Sequence, residues 1–127
     1  MPTIFTKIIN GEIPCHKIAE DDKHLAFLDI RPIREGHTLV IPKKEGDYIF
    51  DMNDQDLSDL MVFAKAVARK IEAKITCKRV GVMVAGIEVP HTHVHLIPFE
   101  KIPDLNFANA KEVPQEELAR TADKITG

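Results

Sequence analysis

Cysteines and long apolar runs are both scarce in this chain of 127 residues. Its two cysteines, Cys15 and Cys77, stand far apart and form no C-x-x-C pair, so no disulfide framework is predicted and a reducing compartment is expected. No apolar run approaches the roughly 20 residues of a membrane helix. The N-terminus also lacks the basic-then-apolar layout of a signal peptide. These absences predict a cytoplasmic protein that does not act in a membrane.

An excess of positive charge is missing as well. Seventeen basic residues face twenty acidic ones, the net charge is −3, and the two signs are mixed along the chain. A protein that binds duplex nucleic acid would normally cluster Lys and Arg on one face, so no nucleic-acid partner is expected. The hydrophobic content of 44% is typical of a globular protein with a real core. The length predicts one domain over residues 1–127, with 101–127 as a less informative closing extension.

The hydrophobic pattern predicts an α+β fold. Helices are expected at 3–11, 53–74 and 114–125, and the longest has its apolar residues on one stripe at steps of three and four, which indicates core. Strand-like runs lie at 17–20, 24–30, 37–41, 79–85 and 89–99. Several are joined by hairpin-length turns. This order predicts a mainly antiparallel five-stranded sheet with one long and one or two short helices on one face.

The segment from Pro90 to Pro98 carries the most unusual pattern, because His91, His93 and His95 alternate strictly. Alternate residues of a strand share a face, so the three imidazoles are expected to project together. One histidine on a strand is usually an ordinary surface or hydrogen-bonded residue. Three on one face are harder to explain that way, since crowded imidazoles repel once protonated and contribute little packing. The cluster therefore indicates a functional site.

Two chemistries could use such a cluster. Neutral imidazole is a common zinc ligand, and H-x-H on a strand can present two nitrogens to one ion. Alternatively, one imidazole can attack phosphorus while its neighbours donate hydrogen bonds to phosphate oxygens. A catalytic metal site usually adds a third ligand and an acidic general base. The nearby acids Glu88 and Glu100 form no obvious pattern of that kind, which favours phosphoryl chemistry.

The sequence resembles the histidine-triad (HIT) family, whose mark is His-x-His-x-His followed by two apolar residues, and within it the small bacterial proteins of the Hint-like branch. The resemblance covers about the first hundred residues and rests on four blocks in the same order. They are 4–14, 25–30, 36–44 and 91–98. The triad pattern alone is a moderate signal, but four blocks in order make it strong.

This resemblance implies roles for particular residues. His93, the middle triad histidine, is expected to be the nucleophile that takes a nucleoside monophosphoryl group and yields it to water. His91 and His95 are expected to orient it and contact phosphate, and His37 to support the triad through a relay of hydrogen bonds. Asp29 is expected to accept from the ribose hydroxyls. Further substrate-binding positions are Glu88 and the apolar base pocket of Phe5, Ile8, Ile13, Phe27 and Ile30. His16 and His24 match no functional position and are expected at the surface.

This chain departs from the family pattern at positions that concern metal binding and phosphate contacts. Many members hold a structural zinc through an N-terminal C-x-x-C and further histidines, whereas this chain has Thr3, Thr6 and Glu45 at three of those positions. Hydroxyls and one carboxylate make a poor zinc site, so no structural metal and no cofactor is expected. Glu88 follows Gly86-Ile87 where relatives often have Gly-Gln and a small or polar residue, so an amide donor to phosphate is missing.

The resulting hypothesis is a hydrolase or nucleotidyl transferase acting on a purine nucleoside phosphoramidate or adenylate through a covalent nucleotidyl-histidine. Its expected partner is a purine nucleoside monophosphate or nucleotide conjugate. Two alternatives stay open, a nucleotide-binding interaction protein with little turnover and a metal-binding protein that uses H-x-H. The resemblance also implies a homodimer in which two sheets join edge to edge.

Overall fold

A five-stranded sheet forms the centre of the computed structural model, which describes residues 3–127. Residues 1 and 2 of the predicted domain lie outside this range. The strand order is β1-β2-β3-β5-β4, and every neighbouring pair is antiparallel. The strands are Lys17–Glu20 (β1), His24–Leu28 (β2), Thr38–Pro42 (β3), Arg79–Met83 (β4) and Val94–Phe99 (β5). The predicted α+β class with a five-stranded antiparallel sheet is confirmed.

Three α-helices accompany the sheet, at Ile4–Ile9 (α1), Asp54–Lys74 (α2) and Gln115–Thr126 (α3). The Thr3 side chain caps α1 by accepting from two backbone amides, and Asn53 caps α2 by accepting from the Asp56 amide. Short 3₁₀ turns lie at Ile49–Asp51, Ile102–Asp104 and Phe107–Asn109. No helix within residues 3–127 combines the length and apolarity needed to cross a bilayer.

The helices do not all lie on one face of the sheet, which corrects the predicted arrangement. The stripe of α2 and the apolar side of α3 pack with Ala26, Val40 and Leu96 in one core. On the other face Phe5 of α1 packs in a second, smaller cluster. The members of that cluster are Phe5, Leu25, Phe27, Leu39 and Ile41. Because β2 and β3 are covered on both sides, every residue of these strands is buried.

The last strand begins later than the sequence predicts, at Val94 instead of residue 89. Pro90 has no amide hydrogen to give to a neighbouring strand. The next two amides bond locally instead, that of His91 to the Val89 carbonyl at 2.8 Å and that of Thr92 to the Gly46 carbonyl at 2.7 Å. His91 and His93 therefore lie in an irregular segment that leads into β5, and His95 lies in the strand itself.

Candidate active site

His93 immediately precedes β5, and one of its ring nitrogens is engaged in a hydrogen bond. Its Nδ1 is 2.7 Å from the backbone carbonyl of His91. A carbonyl can only accept, so Nδ1 carries the proton and donates it. In a neutral imidazole the other nitrogen, Nε2, then holds a free lone pair. This is the tautomer that a nucleophilic histidine needs, and the backbone imposes it.

His95 is held in the opposite tautomer by a chain of hydrogen bonds. The Ile33 amide donates to Nδ1 of His37 at 3.0 Å, so that nitrogen carries no proton. The proton of His37 is therefore on Nε2, which lies 2.9 Å from Nδ1 of His95 and donates to it. The proton of His95 must then sit on its Nε2. The chain from Ile33 to His95 thus leaves an N–H donor on the His95 ring, beside the ring of His93 at a centroid distance of 4.9 Å.

Burial keeps both members of this chain neutral. It lowers the pKa of His37 to about 3, together with a smaller contribution from the charge of His95. Burial also lowers the pKa of His95 to about 4, with a further contribution from the charge of His93. Desolvation penalises the charged imidazolium, and neither ring is more than 7% exposed. At neutral pH the chain therefore holds two neutral rings with fixed protons.

His91 holds the ring of His93 through its backbone carbonyl, while its own side chain is buried. Its ring is fully buried, and its Nε2 donates to the carbonyl of Pro42 at 2.7 Å. Its Nδ1 has no hydrogen-bond partner within residues 3–127. A ring in this position is closed to a phosphate, whereas the His91 carbonyl holds the proton of His93. Of the two roles expected for His91, orienting His93 fits this geometry.

Asp29 lies next to the His37 end of the chain of histidines. One carboxylate oxygen accepts from the Arg31 amide at 2.9 Å, and the other is 3.6 Å from Nε2 of His37. Burial raises the pKa of this carboxyl, and the negative charge of Glu88 adds to the rise. Glu88 itself is exposed, on the loop before His91. Glu88 is therefore near enough for its charge to act on the Asp29 carboxyl.

The predicted base pocket is only partly assembled. Phe5 and Phe27 are buried with their rings 5.7 Å apart, and Ile8 packs against them. The Phe5 ring also lies 5.0 Å from that of His93, which joins the apolar cluster to the histidines. Ile30 is 58% exposed, and neither it nor the half-buried Ile13 belongs to this cluster. The histidine cluster thus has one aromatic, water-excluding border.

The residues at the family's structural zinc positions bond to each other. The Thr6 hydroxyl donates to a carboxylate oxygen of Glu45 at 2.8 Å and accepts from the Thr3 amide at 3.1 Å. The Thr3 hydroxyl accepts from the Phe5 and Thr6 amides. These oxygens do not form the sulfur and nitrogen set that zinc prefers, so the residues present do not fit the metal. The Thr6–Glu45 hydrogen bond links α1 to the loop after β3 in its place.

A second group has the spacing of a metal site, since ligand atoms of Asp29, His37 and His95 all lie within 4.8 Å of one another. The tautomers argue against coordination there. A histidine that ligates through one nitrogen normally donates the N–H of the other to an acceptor. Nδ1 of His37 faces the Ile33 amide, a donor, so its Nε2 keeps the proton that a metal would have to displace. This group is better suited to relay hydrogen bonds than to hold an ion.

Three features of the site escaped sequence reasoning. Ile33 and Pro42 act through their backbone groups, which no side-chain pattern reveals. Phe107 contacts His95 with ring centroids 4.9 Å apart, although it lies in a short 3₁₀ turn well after β5. The expectation that His24 is a surface residue is wrong. It is 5% exposed, stacks on Phe63 and bonds to Asp21, because the whole of β2 is covered.

Both the sequence and the fold are similar to those of known proteins. The sequence model of the HIT domain matches residues 10–102. An uncharacterised HIT-like protein of Methanocaldococcus jannaschii is 40% identical over an alignment that covers 92% of this chain and 95% of that protein. Adenosine 5′-monophosphoramidase of Saccharomyces cerevisiae is 44% identical over 75% of this chain and 61% of its own length. A HIT-like protein from Bartonella henselae, described as involved in cell-cycle regulation, has a similar crystal structure, with a TM-score of 0.86, 32% identity and coverage of 98% and 93% of the two chains.

Proposed function

The chain belongs to the HIT family, and on that premise we propose that it hydrolyses purine nucleoside phosphoramidates or adenylates through a nucleotidyl-His93 intermediate. The observation that carries the proposal is the pair of opposite tautomers, a free lone pair on Nε2 of His93 and an N–H on Nε2 of His95. A nucleophile beside a hydrogen-bond donor is the minimum that phosphoryl transfer to histidine requires. The assignment of the yeast relative as a phosphoramidase supports the same class of substrate.

The proposed reaction has two displacements at phosphorus. In the first, Nε2 of His93 attacks, the bond from phosphorus to the leaving amine breaks, and the amine departs with the electron pair and a proton from solvent. The positive charge on the His93 ring is stabilised by its Nδ1–H bond to the His91 carbonyl. In the second, water attacks phosphorus and gives up a proton to solvent, the phosphorus–nitrogen bond breaks with its electron pair returning to Nε2 of His93, and the nucleoside monophosphate leaves. His95 donates to a phosphate oxygen in both steps.

The nucleoside is proposed to bind across the sheet from the apolar cluster to Asp29. The Asp29 carboxylate can accept from both ribose hydroxyls, and one of its oxygens lies within 4.8 Å of a ring nitrogen of His95, the proposed phosphate donor. The purine packs near Phe5, Phe27 and Ile8. Glu88, on the loop facing Asp29, is proposed to contact the phosphate side of the substrate, where its negative charge disfavours highly anionic leaving groups.

Turnover of adenosine 5′-phosphoramidate tests the proposal. We expect release of ammonia and adenosine monophosphate with multiple turnovers, and the same rate after dialysis against a chelator. Binding of adenosine monophosphate without turnover would instead support the interaction protein. Activity or binding that disappears with the chelator and returns with zinc would support the metal-binding alternative.

A homodimer is proposed from the exposed edge of the sheet. β4 is an edge strand, Val82 on it is 52% exposed, and Val62 of the neighbouring α2 is 65% exposed. The α2 stripe itself is used in the protomer's own core, so it does not contribute to an interface. Pairing of two β4 edges would cover this surface and join the sheets. Sedimentation at micromolar concentration should give about twice the 14.3 kDa of one chain, and a species of 14.3 kDa would contradict the pairing.

A further inference from the structure

Phe107 forms an outer side of the histidine cluster. Its ring meets that of His95 edge to face, at a centroid distance of 4.9 Å and an interplanar angle of 66°. The four histidines of the site are at most 7% exposed, whereas Phe107 is 41% exposed. Part of its ring is thus held by the protein while another part faces solvent. Phe107 also lies beyond residue 102, where the match to the family ends.

The segment that carries Phe107 is fixed on both sides. Upstream, Asp104 pairs with Arg34 at 2.7 Å and accepts from the Glu100 and Lys101 amides. Downstream, the Lys111 amide donates to the Pro32 carbonyl at 3.2 Å. Both attachments are to the loop between β2 and β3, the loop that bears Ile33 and ends at His37. The Phe107 ring is therefore held relative to the hydrogen-bond chain.

The same segment borders Asp29. A cleft of about 480 Å³ is lined by Asp29 and His37 on one side and by Ala108 and Asn109 on the other. Phe107 stands at the start of this stretch and contacts His95, one of whose ring nitrogens lies within 4.8 Å of an Asp29 carboxylate oxygen. A nucleotide whose phosphate is at His93 and whose ribose hydroxyls are at Asp29 would place its sugar ring close to these groups.

We propose that Phe107 is a substrate-binding residue whose exposed ring packs against the ribose of the nucleotide. This inference rests on the proposed function, since it takes the positions of phosphate and hydroxyls from it. The hydroxyl edge of a ribose is polar and suits Asp29, while its C–H face is apolar and loses contact with water against an aromatic ring. The site then recognises the sugar from two directions, by hydrogen bonds at Asp29 and by apolar contact at Phe107.

A comparison of two ligands on two proteins tests the inference. The ligands are adenosine monophosphate and an acyclic analogue in which an open ether chain replaces the ribose and a phosphonate replaces the phosphate. Calorimetric titration of wild type and Phe107→Ala should show about tenfold weaker binding of adenosine monophosphate in the variant, the size expected for loss of one aromatic contact. Binding of the acyclic analogue should change by less than about twofold, because it has no sugar ring to lose the contact.

Two further variants serve as controls. Phe107→Tyr keeps the ring and should bind adenosine monophosphate like wild type. Phe50→Ala removes another exposed phenylalanine, whose ring packs on Tyr48 and not on a histidine of the site, and it should leave both affinities unchanged.

Equal loss of affinity for both ligands, or no loss for either, would overturn the contact with ribose. Failure of the wild-type protein to bind adenosine monophosphate would instead count against the proposed function. In the hydrolysis assay the Phe107→Ala change should raise KM with little effect on kcat, because the ring does not touch the reacting atoms. A fall in kcat with unchanged KM would show that Phe107 acts through His95 and does not bind the sugar.

Discussion

Replacement of His93 by alanine should lower kcat for a nucleoside phosphoramidate by about three orders of magnitude or more, because the variant has no nitrogen to form the covalent intermediate. Binding of adenosine monophosphate should persist within about tenfold, since Asp29, the apolar cluster and the His95 donor remain. Stopped assays with a chromatographic readout of the product, together with calorimetric titration of the variant, measure the two quantities separately.

The neighbouring histidines provide matched comparisons. His95→Ala removes a hydrogen-bond donor but leaves the nucleophile, so it should retain more activity than His93→Ala. His16→Ala removes a histidine that bonds to Gln115 outside the cluster, and it should turn over like wild type. Retention of a tenth of the wild-type rate by a correctly folded His93→Ala variant would exclude the proposed mechanism.

Acidification should destabilise the protein strongly between pH 6.5 and about 5. The pKa of His37 is lowered to about 3 and that of His95 to about 4, chiefly by burial, so both rings stay neutral in the folded protein over this range. In the unfolded chain both take up protons below pH 6.5. The unfolded state therefore binds more protons. As the pH is lowered, the free energy of unfolding decreases by up to about 1.4 kcal/mol per pH unit for each histidine. Denaturant titrations at several pH values measure this slope.

A variant that lacks one of the two rings identifies the source of the effect. His95→Asn should take up about one proton fewer on unfolding between pH 6.5 and 5. The pH dependence of its free energy of unfolding should therefore be shallower than that of wild type, whatever the substitution does to stability at pH 7. Acidic groups contribute elsewhere. Glu20, whose pKa is lowered to about 2 by its hydrogen bonds to Lys17 and Lys43, adds acid sensitivity below its ordinary value of 4.5. A slope that is flat in wild type, or equal in wild type and His95→Asn, would contradict neutral buried rings.

Periodic features of the sequence were sufficient to predict most of the fold. The stripe of residues 57–71 predicted α2 almost to its ends, because a long amphipathic helix repeats its apolar residues many times and Asn53 provides a cap. The five strands followed from short β-rich runs between turns. The strand boundary near Pro90 was wrong by five residues, because the alternation of the histidines continues outside the ladder that normally produces it.

The sequence predicted which side chains form the site, but not which nitrogen of each imidazole ring carries the proton. The blocks around His37 and His93 indicated which imidazoles would meet. Their tautomers depend on the backbone carbonyl of His91 and the backbone amide of Ile33, and these groups are present in every sequence. Phe107 begins a single 3₁₀ turn with no repeating apolar pattern, so its contact with His95 is a product of tertiary structure alone. The burial of His24 is likewise a product of tertiary structure, because α2 brings Phe63 onto its ring.

The most direct test of the central claim is to capture the covalent intermediate. Wild-type protein mixed with an adenylate that carries a reactive leaving group, quenched within milliseconds and kept out of acid, should gain the mass of one adenylyl group per chain. Peptide mapping should place that group on His93, and His93→Ala should gain none. A label on another residue, or full turnover with no adenylylated protein at any quench time, would contradict a nucleotidyl-His93 intermediate.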